Sequence, residues 1–304
     1  MGNTDKKWVY FSALLFVVIF WGISSVVYHY FYRYYSAAVL TCIMTLFSAL
    51  FFWLLARKNI KKINGKFLKI ALPICLLNAV ANVLQRIGLQ YTTPANYAFF
   101  EHLSCVVVPV MMFVFIRQTP SLLQGIGAVT CLLGCFVLCG VKLSGSSAIG
   151  VGDLLCIISG LLMGVCVAAI GAYTRHLDGT LFMVVYMTCY FGVSLILAFV
   201  LNTVGAEPAV ITWKIPVLLL VIVFGLVDVA LCWLLKTEAI RHIDPVAVAT
   251  ISPCTAVITG IVSVWAGIDQ PTPRLLFGGG IIFLSALVPE LLWTLAIRRK
   301  AYRR

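Results

Sequence analysis

Four ionisable residues, Arg86, Glu101, Asp228 and Glu290, stand inside long runs of apolar sequence. Burying a charge in lipid costs roughly 2.5 to 3.5 kcal/mol on insertion scales, so each implies a partner or a wet cavity. Arg86 and Glu101 flank the short YTTPA turn at comparable depth, a spacing that suits an ion pair between two neighbouring helices. Such a pair would either lock the hairpin or hold a ligand. Asn78, Asn82 and Gln85 recur at i, i+4 and i+7, and Tyr97, Glu101 and Ser104 do the same on the next helix. A polar helix face needs a hydrated place to point, which assigns both faces to a substrate site. Trp21, Ser25 and Tyr28 make a comparable face earlier in the chain, although the neighbouring YHYFYRYY stretch reads as an interfacial aromatic belt. On a regular helix Asp228 and Trp233 are separated by about 140°, so Trp233 is taken as lining, and Asp228 joins Glu101 as a candidate proton site. Glu290 suits helix packing or the surface. Three acids against one base, with aromatic rings nearby, fit a small cationic or zwitterionic molecule.

The elements that must position these residues follow from composition. Of the 304 residues 62% are hydrophobic and 11% charged, with a mean hydropathy of +1.06, which is too apolar for a soluble domain. Ten runs approach the roughly 20 residues that cross a hydrocarbon core. They cover 8–29, 35–56, 68–89, 95–116 and 121–141 in the first half, and 151–173, 181–201, 215–235, 245–266 and 275–297 in the second. Backbone groups in lipid must be satisfied within a segment, and period-two alternation is absent, so these are helices and not barrel strands. The first run outlasts a secretory signal and lacks a small-residue cleavage site, which predicts a retained anchor. The connections hold about a dozen residues at most, leaving no soluble domain.

The net charge of +12 does not point to nucleic acid. With a cytoplasmic N-terminus, 17 basic residues fall inside and 4 outside, with Arg86 left within a helix. That asymmetry predicts a multi-pass protein of the cytoplasmic membrane with both termini cytoplasmic. The basic tail and the RKNIKKINGK loop are expected to touch anionic lipid heads. All eleven cysteines fall within the spans, so a disulfide framework is not expected. Cys131, Cys135 and Cys139 continue a stripe from Gly127 that reads as a close-packing face in preference to a metal site. No cofactor is implied by any motif.

The two halves repeat. An offset of 151 places Pro94 on Pro245, Ala98 on Ala249, Pro120 on Pro271 and Gly127 on Gly278, while 142 places Gly22 on Gly164 and Arg33 on Arg175. A unit of five crossings must re-enter the membrane from the opposite side. The expected fold is therefore an all-α membrane protein with ten transmembrane helices, arranged as two inverted five-helix repeats around a central cavity. The repeats span 1–145 and 146–304 of one membrane domain. The offset sets Ser252 opposite Glu101 and Trp233 opposite Asn82; Ser252, Thr255 and Thr259 give a hydroxyl face, a weak signal because such side chains bond their own backbone.

FWG in the first helix, GLQYTTPANYAF, GIGAVTCLLGCFVL, GDLLCIISGLLMGV and GGGIIFLSALVPELL together resemble EamA-type permeases of the drug/metabolite transporter superfamily. The resemblance covers nearly the whole chain. It implies alternating access and, often, export of amino acids or other metabolites. The expected function is thus secondary transport of a small organic metabolite, an amino acid or amine, with export as the direction and proton coupling through a carboxylate. A membrane sensor or scaffold is the alternative. An integral membrane enzyme is disfavoured, since HExxH, a close carboxylate pair and a phosphate loop are all missing, and His29, His102, His176 and His242 are scattered.

Overall fold

Amide and acidic side chains decide where several helices begin. Asn64 accepts the Phe67 N–H at 2.9 Å, Asp178 the Leu181 N–H at 3.1 Å, and Asp244 the Val246 N–H at 3.1 Å. Each satisfies an amide that a helix start leaves without a carbonyl partner. The computed structural model describes residues 3–92, 94–139, 150–205, 213–267, 270 and 272–285. The first half contributes α1 (Asn3–Phe31), α2 (Ala37–Ala56), α3 (Gly65–Tyr91), α4 (Pro94–Glu101), α5 (Ser104–Ile116) and α6 (Leu122–Cys139). The second contributes α7 (Val151–Tyr173), α8 (Gly179–Thr203), α9 (Ile215–Gly225), α10 (Cys232–His242), α11 (Pro245–Ile251), α12 (Cys254–Trp265) and α13 (Pro273–Ser285). Eight helical stretches are long and apolar enough to cross a membrane, and two apolar ones, Leu122–Leu138 and Pro273–Ser285, are shorter. They fall on the ten runs expected from sequence. Glu290 and the rest of the last run lie outside the described residues.

Three stretches are not regular helix. The chain breaks at His102–Leu103 between α4 and α5, and at Ser252–Pro253 between α11 and α12. Short-range bonds carry the backbone across: Cys105 N–H donates to the His102 carbonyl at 3.0 Å, and Thr255 N–H to the Ser252 carbonyl at 3.0 Å. This keeps polar backbone satisfied where lipid would not. Between α9 and α10 a π turn occupies Leu226–Leu231.

Glycines fix how the halves meet. α1 packs on α10 and α12, while α7 packs on α3 and α5. A Cβ on Gly22 would stand 2.5 Å from Ile258 Cγ2 and 3.3 Å from the Thr255 carbonyl, and one on Gly164 would stand 2.5 Å from Val107 Cβ and 3.2 Å from Ser104 Cα. Gly22 and Gly164 are 142 residues apart, and the partners, Ser104 with Thr255 and Val107 with Ile258, are each 151 apart. The two contacts are therefore the same contact, made once by each half upon the other, as twofold exchange requires. Only hydrogen allows so close an approach. Between α2 and α8 the Thr45 and Ser194 hydroxyls meet at 3.1 Å. Cys131 and Cys135 are buried with Gly127, and the Cys131 thiol donates to the Thr250 carbonyl at 3.6 Å, a packing face against α11. The Cys139 side chain lies outside the described residues.

At one corner Arg241 ties α10 to the turn after α7. Its Nε donates to the Thr174 carbonyl at 3.1 Å, and its other nitrogens donate to the Leu177 carbonyl and to the Glu238 carboxylate. Beside it the His242 ring stacks on Tyr10 of α1, with centroids 4.2 Å apart. The equivalent corner of the other half joins Thr92 to Asp153 and sets Gly152 against the Tyr91 backbone. Arg241→Ala takes the donor from the Leu177 carbonyl and leaves the Thr174 carbonyl with the Leu177 N–H alone, which should lower stability by about 2 kcal/mol. Thermal unfolding in detergent checks this, and a midpoint equal to that of the unsubstituted protein would reject the clamp.

Candidate functional site

Tyr28, near the end of α1, joins three helices through one phenol. Its hydroxyl donates to Asp228 Oδ2 at 2.5 Å and accepts from Arg86 Nη2 at 2.9 Å, while the guanidinium carbon lies 4.3 Å from the ring centroid. The Tyr190 hydroxyl lies within electrostatic reach of the same guanidinium. Among the described residues the expected Arg86–Glu101 ion pair does not form: Arg86 turns to α1, where the Tyr28 phenol and, through it, the Asp228 charge answer it. Asp228 is 3% exposed, and its second oxygen, Oδ1, has no hydrogen-bond partner among the described residues.

A row of rings continues from this triad. Trp21 Nε1 donates to the Asp228 carbonyl at 3.2 Å, and the Trp21 ring stands 5.4 Å from Trp233. Trp233 lies 5.2 Å from Tyr186, which lies 5.9 Å from Tyr190. Asp228 and Trp233 thus both face α1, contrary to the 140° expected on a regular helix. The π turn is the reason: its bonds span one more residue, so the chain turns less per residue and the two side chains come round to one side. Where a central cavity was expected, the aromatic rings stand in contact. A space beside Arg86, between α2, α3 and α8, is about 10 Å³, and an open groove of about 550 Å³ lies along the outside of α6.

Lys236 is the residue that sequence reasoning misplaced. The eighth run was ended at residue 235 and Lys236 assigned to a cytoplasmic segment, but α10 continues to His242 and buries Lys236 to 8% exposure. Its Nζ lies 4.7 Å from the Trp21 ring and 5.0 Å from the Trp233 ring. The negative charge of Glu101 acts on it from the end of α4. Among the described residues the interior therefore holds two bases, Arg86 and Lys236, with two acids, Asp228 and Glu101; Lys236 adds a base to the one expected, and Glu290, the third expected acid, lies outside the described residues. A signal was available: Lys236 is the 151-offset partner of Gln85.

The remaining residues divide. The Asn82 amide donates to the Asn78 carbonyl at 2.8 Å and to the Tyr186 hydroxyl at 3.2 Å, which brings the α3 face into the cluster, and Gln85 is buried one turn further on. Tyr97 lies within electrostatic reach of both Glu101 and Arg86. Ser104 donates to the Glu101 carbonyl at 3.4 Å across the helix break. Ser252 bonds its own helix, at the Val248 carbonyl, at 2.8 Å. Thr255 lends its carbonyl to the close approach of Gly22, and Thr259 donates to the Gly22 carbonyl at 3.1 Å, so this hydroxyl face serves packing. The side chains of Ser25 and His29 lie outside the described residues. Among the described residues no group of His, Cys, Asp and Glu is arranged to hold a metal.

The model of the EamA-like transporter family matches this chain twice, over residues 8–140 and 150–289. The chain belongs to the EamA-like transporter family. The two matches coincide with the two halves that exchange the Gly22 and Gly164 contacts. One solved structure, described as "Crystal structure of protein", superposes on this EamA-like chain with a TM-score of 0.73 at 14% identity, covering 96% of this chain and 98% of its own. At that identity the likeness concerns the fold alone. No curated protein matches the sequence.

Proposed function

We propose that this EamA-like protein is a secondary transporter that moves a small organic metabolite bearing both charges, such as an amino acid, by alternating access. One observation carries the reading: both repeats build a single buried cluster, with Trp21, Tyr28, Asn82, Arg86 and Glu101 from the first and Tyr186, Tyr190, Asp228, Trp233 and Lys236 from the second. A site held between two similar bundles opens to one side or the other when they rock. Two internal acids and two internal bases suit a zwitterion better than a cation. The reciprocal glycine contacts, taken with five apolar runs per half, support a reading of ten crossings in two inverted repeats. The positive-inside asymmetry supports a cytoplasmic-membrane protein with both termini in the cytoplasm. Export is the expected direction.

Proton coupling is assigned to Asp228, whose charge is answered either by Arg86 through Tyr28 or by a bound proton; Glu101 is the second acid able to serve. The partners are the lipid bilayer and a small-molecule substrate. Purified protein in liposomes should accumulate at least one labelled compound from a panel of amino acids, amines, nucleosides and sugars. Uptake no faster than into protein-free liposomes, across the whole panel, would reject transport and favour a scaffold.

A further inference from the structure

Lys236 carries three N–H donors, and among the described residues no backbone or side-chain atom accepts from them. Its ammonium faces the Trp21 and Trp233 rings, one from each repeat, at 4.7 and 5.0 Å. Ring faces attract a cation but leave directed N–H bonds unused. The negative charge of Glu101 acts on Lys236, and among the described residues the two form no ion pair. Arg86 differs, since it donates to the Tyr28 hydroxyl and packs over the Tyr28 ring.

We propose that Lys236, framed by Trp21 and Trp233, is the point at which the site binds a substrate carboxylate, and so restricts the protein to ligands with one carboxylate on a neutral or ammonium-bearing body. The inference rests on the transporter reading and deepens it. A carboxylate supplies the acceptors that the rings cannot, in a charge-assisted bond stronger than a neutral one. Glu101, whose charge reaches Lys236, favours an ammonium at the other end of the ligand. A phosphate dianion is disfavoured, because Glu101 and Asp228 already place two negative charges in this interior. The 151-offset partner of Lys236 is the neutral Gln85, so the repeats are not equivalent here and only one half holds the carboxylate.

The test uses the full chain in phosphatidylcholine nanodiscs and intrinsic tryptophan fluorescence, titrated with leucine, phenylalanine and threonine and with the carboxamide of each. The unsubstituted protein should bind at least one acid about tenfold or more tightly than its amide. Lys236→Met and Lys236→Gln should bring that ratio to within about twofold, with Lys236→Arg retaining part of it. No acid bound, or no preference for acid over amide, overturns the assignment even if neither variant folds. A preference unchanged in folded Lys236→Met overturns the role of the lysine. Acids bound at Lys236 but never taken up by liposomes leave the lysine assignment standing and sink the transport reading.

Discussion

Gly160→Ala is expected to destabilise the protein by about 2 to 3 kcal/mol, and to do so by shifting α4. Gly160 sits in the middle of α7 directly beneath the Phe100 carbonyl oxygen, and a Cβ would also lie 3.2 Å from the Phe100 carbonyl carbon and 3.5 Å from the Glu101 oxygen. Those atoms are backbone, so no rotamer change relieves the contact. They also precede the break at His102–Leu103, so any relief moves Glu101. Gly192→Ala is the control, since a Cβ there meets nothing within 4 Å, and it should change stability by less than about 0.5 kcal/mol. Equal unfolding midpoints for the two variants would contradict the packing of α4 on α7.

Asp228→Asn should lower uptake driven by a pH gradient at least about tenfold while leaving substrate exchange in place. An amide oxygen still accepts the Tyr28 hydroxyl, but the group no longer gains or loses a proton, so the coupling ion has nowhere to ride. The same change leaves Arg86 buried without its counter-charge, at a cost of about 3 to 5 kcal/mol where such pairs are broken. Adding Arg86→Gln removes both charges and should restore much of the stability without restoring driven uptake. Proteoliposome uptake with and without an imposed gradient checks both parts. Full gradient-driven uptake by Asp228→Asn would remove Asp228 from the coupling role.

The helices were legible because ten apolar runs leave lipid-facing backbone no other form, and Pro94 and Pro245 start α4 and α11 at the expected offset. Two glycines, Gly22 and Gly164, were found as repeat partners, and their reciprocal contacts follow that pairing. The site was read less well, for reasons that lie in geometry. A π turn depends on backbone bonds one residue longer than usual, which no local residue type announces, so Asp228 and Trp233 were set on different faces. Tyr186 and Tyr190 were overlooked because an aromatic residue in a membrane helix serves equally as core or interface. Lys236 was lost to a boundary drawn at residue 235, short of the helix end at His242, and treating Gln85 and Lys236 as equivalents corrects it. Arg86 was paired with the acid nearest in sequence, whereas folding brought it Tyr28 and, through that phenol, Asp228.

Counterflow tests the account most directly. Liposomes preloaded with an unlabelled zwitterionic compound that the protein accepts are diluted into its labelled form, with no ion gradient. A single site exposed first to one side and then to the other predicts a transient internal excess of label above equilibrium. Label that only rises to equilibrium, as through a pore, or that does not enter at all, contradicts a carrier built from these two repeats.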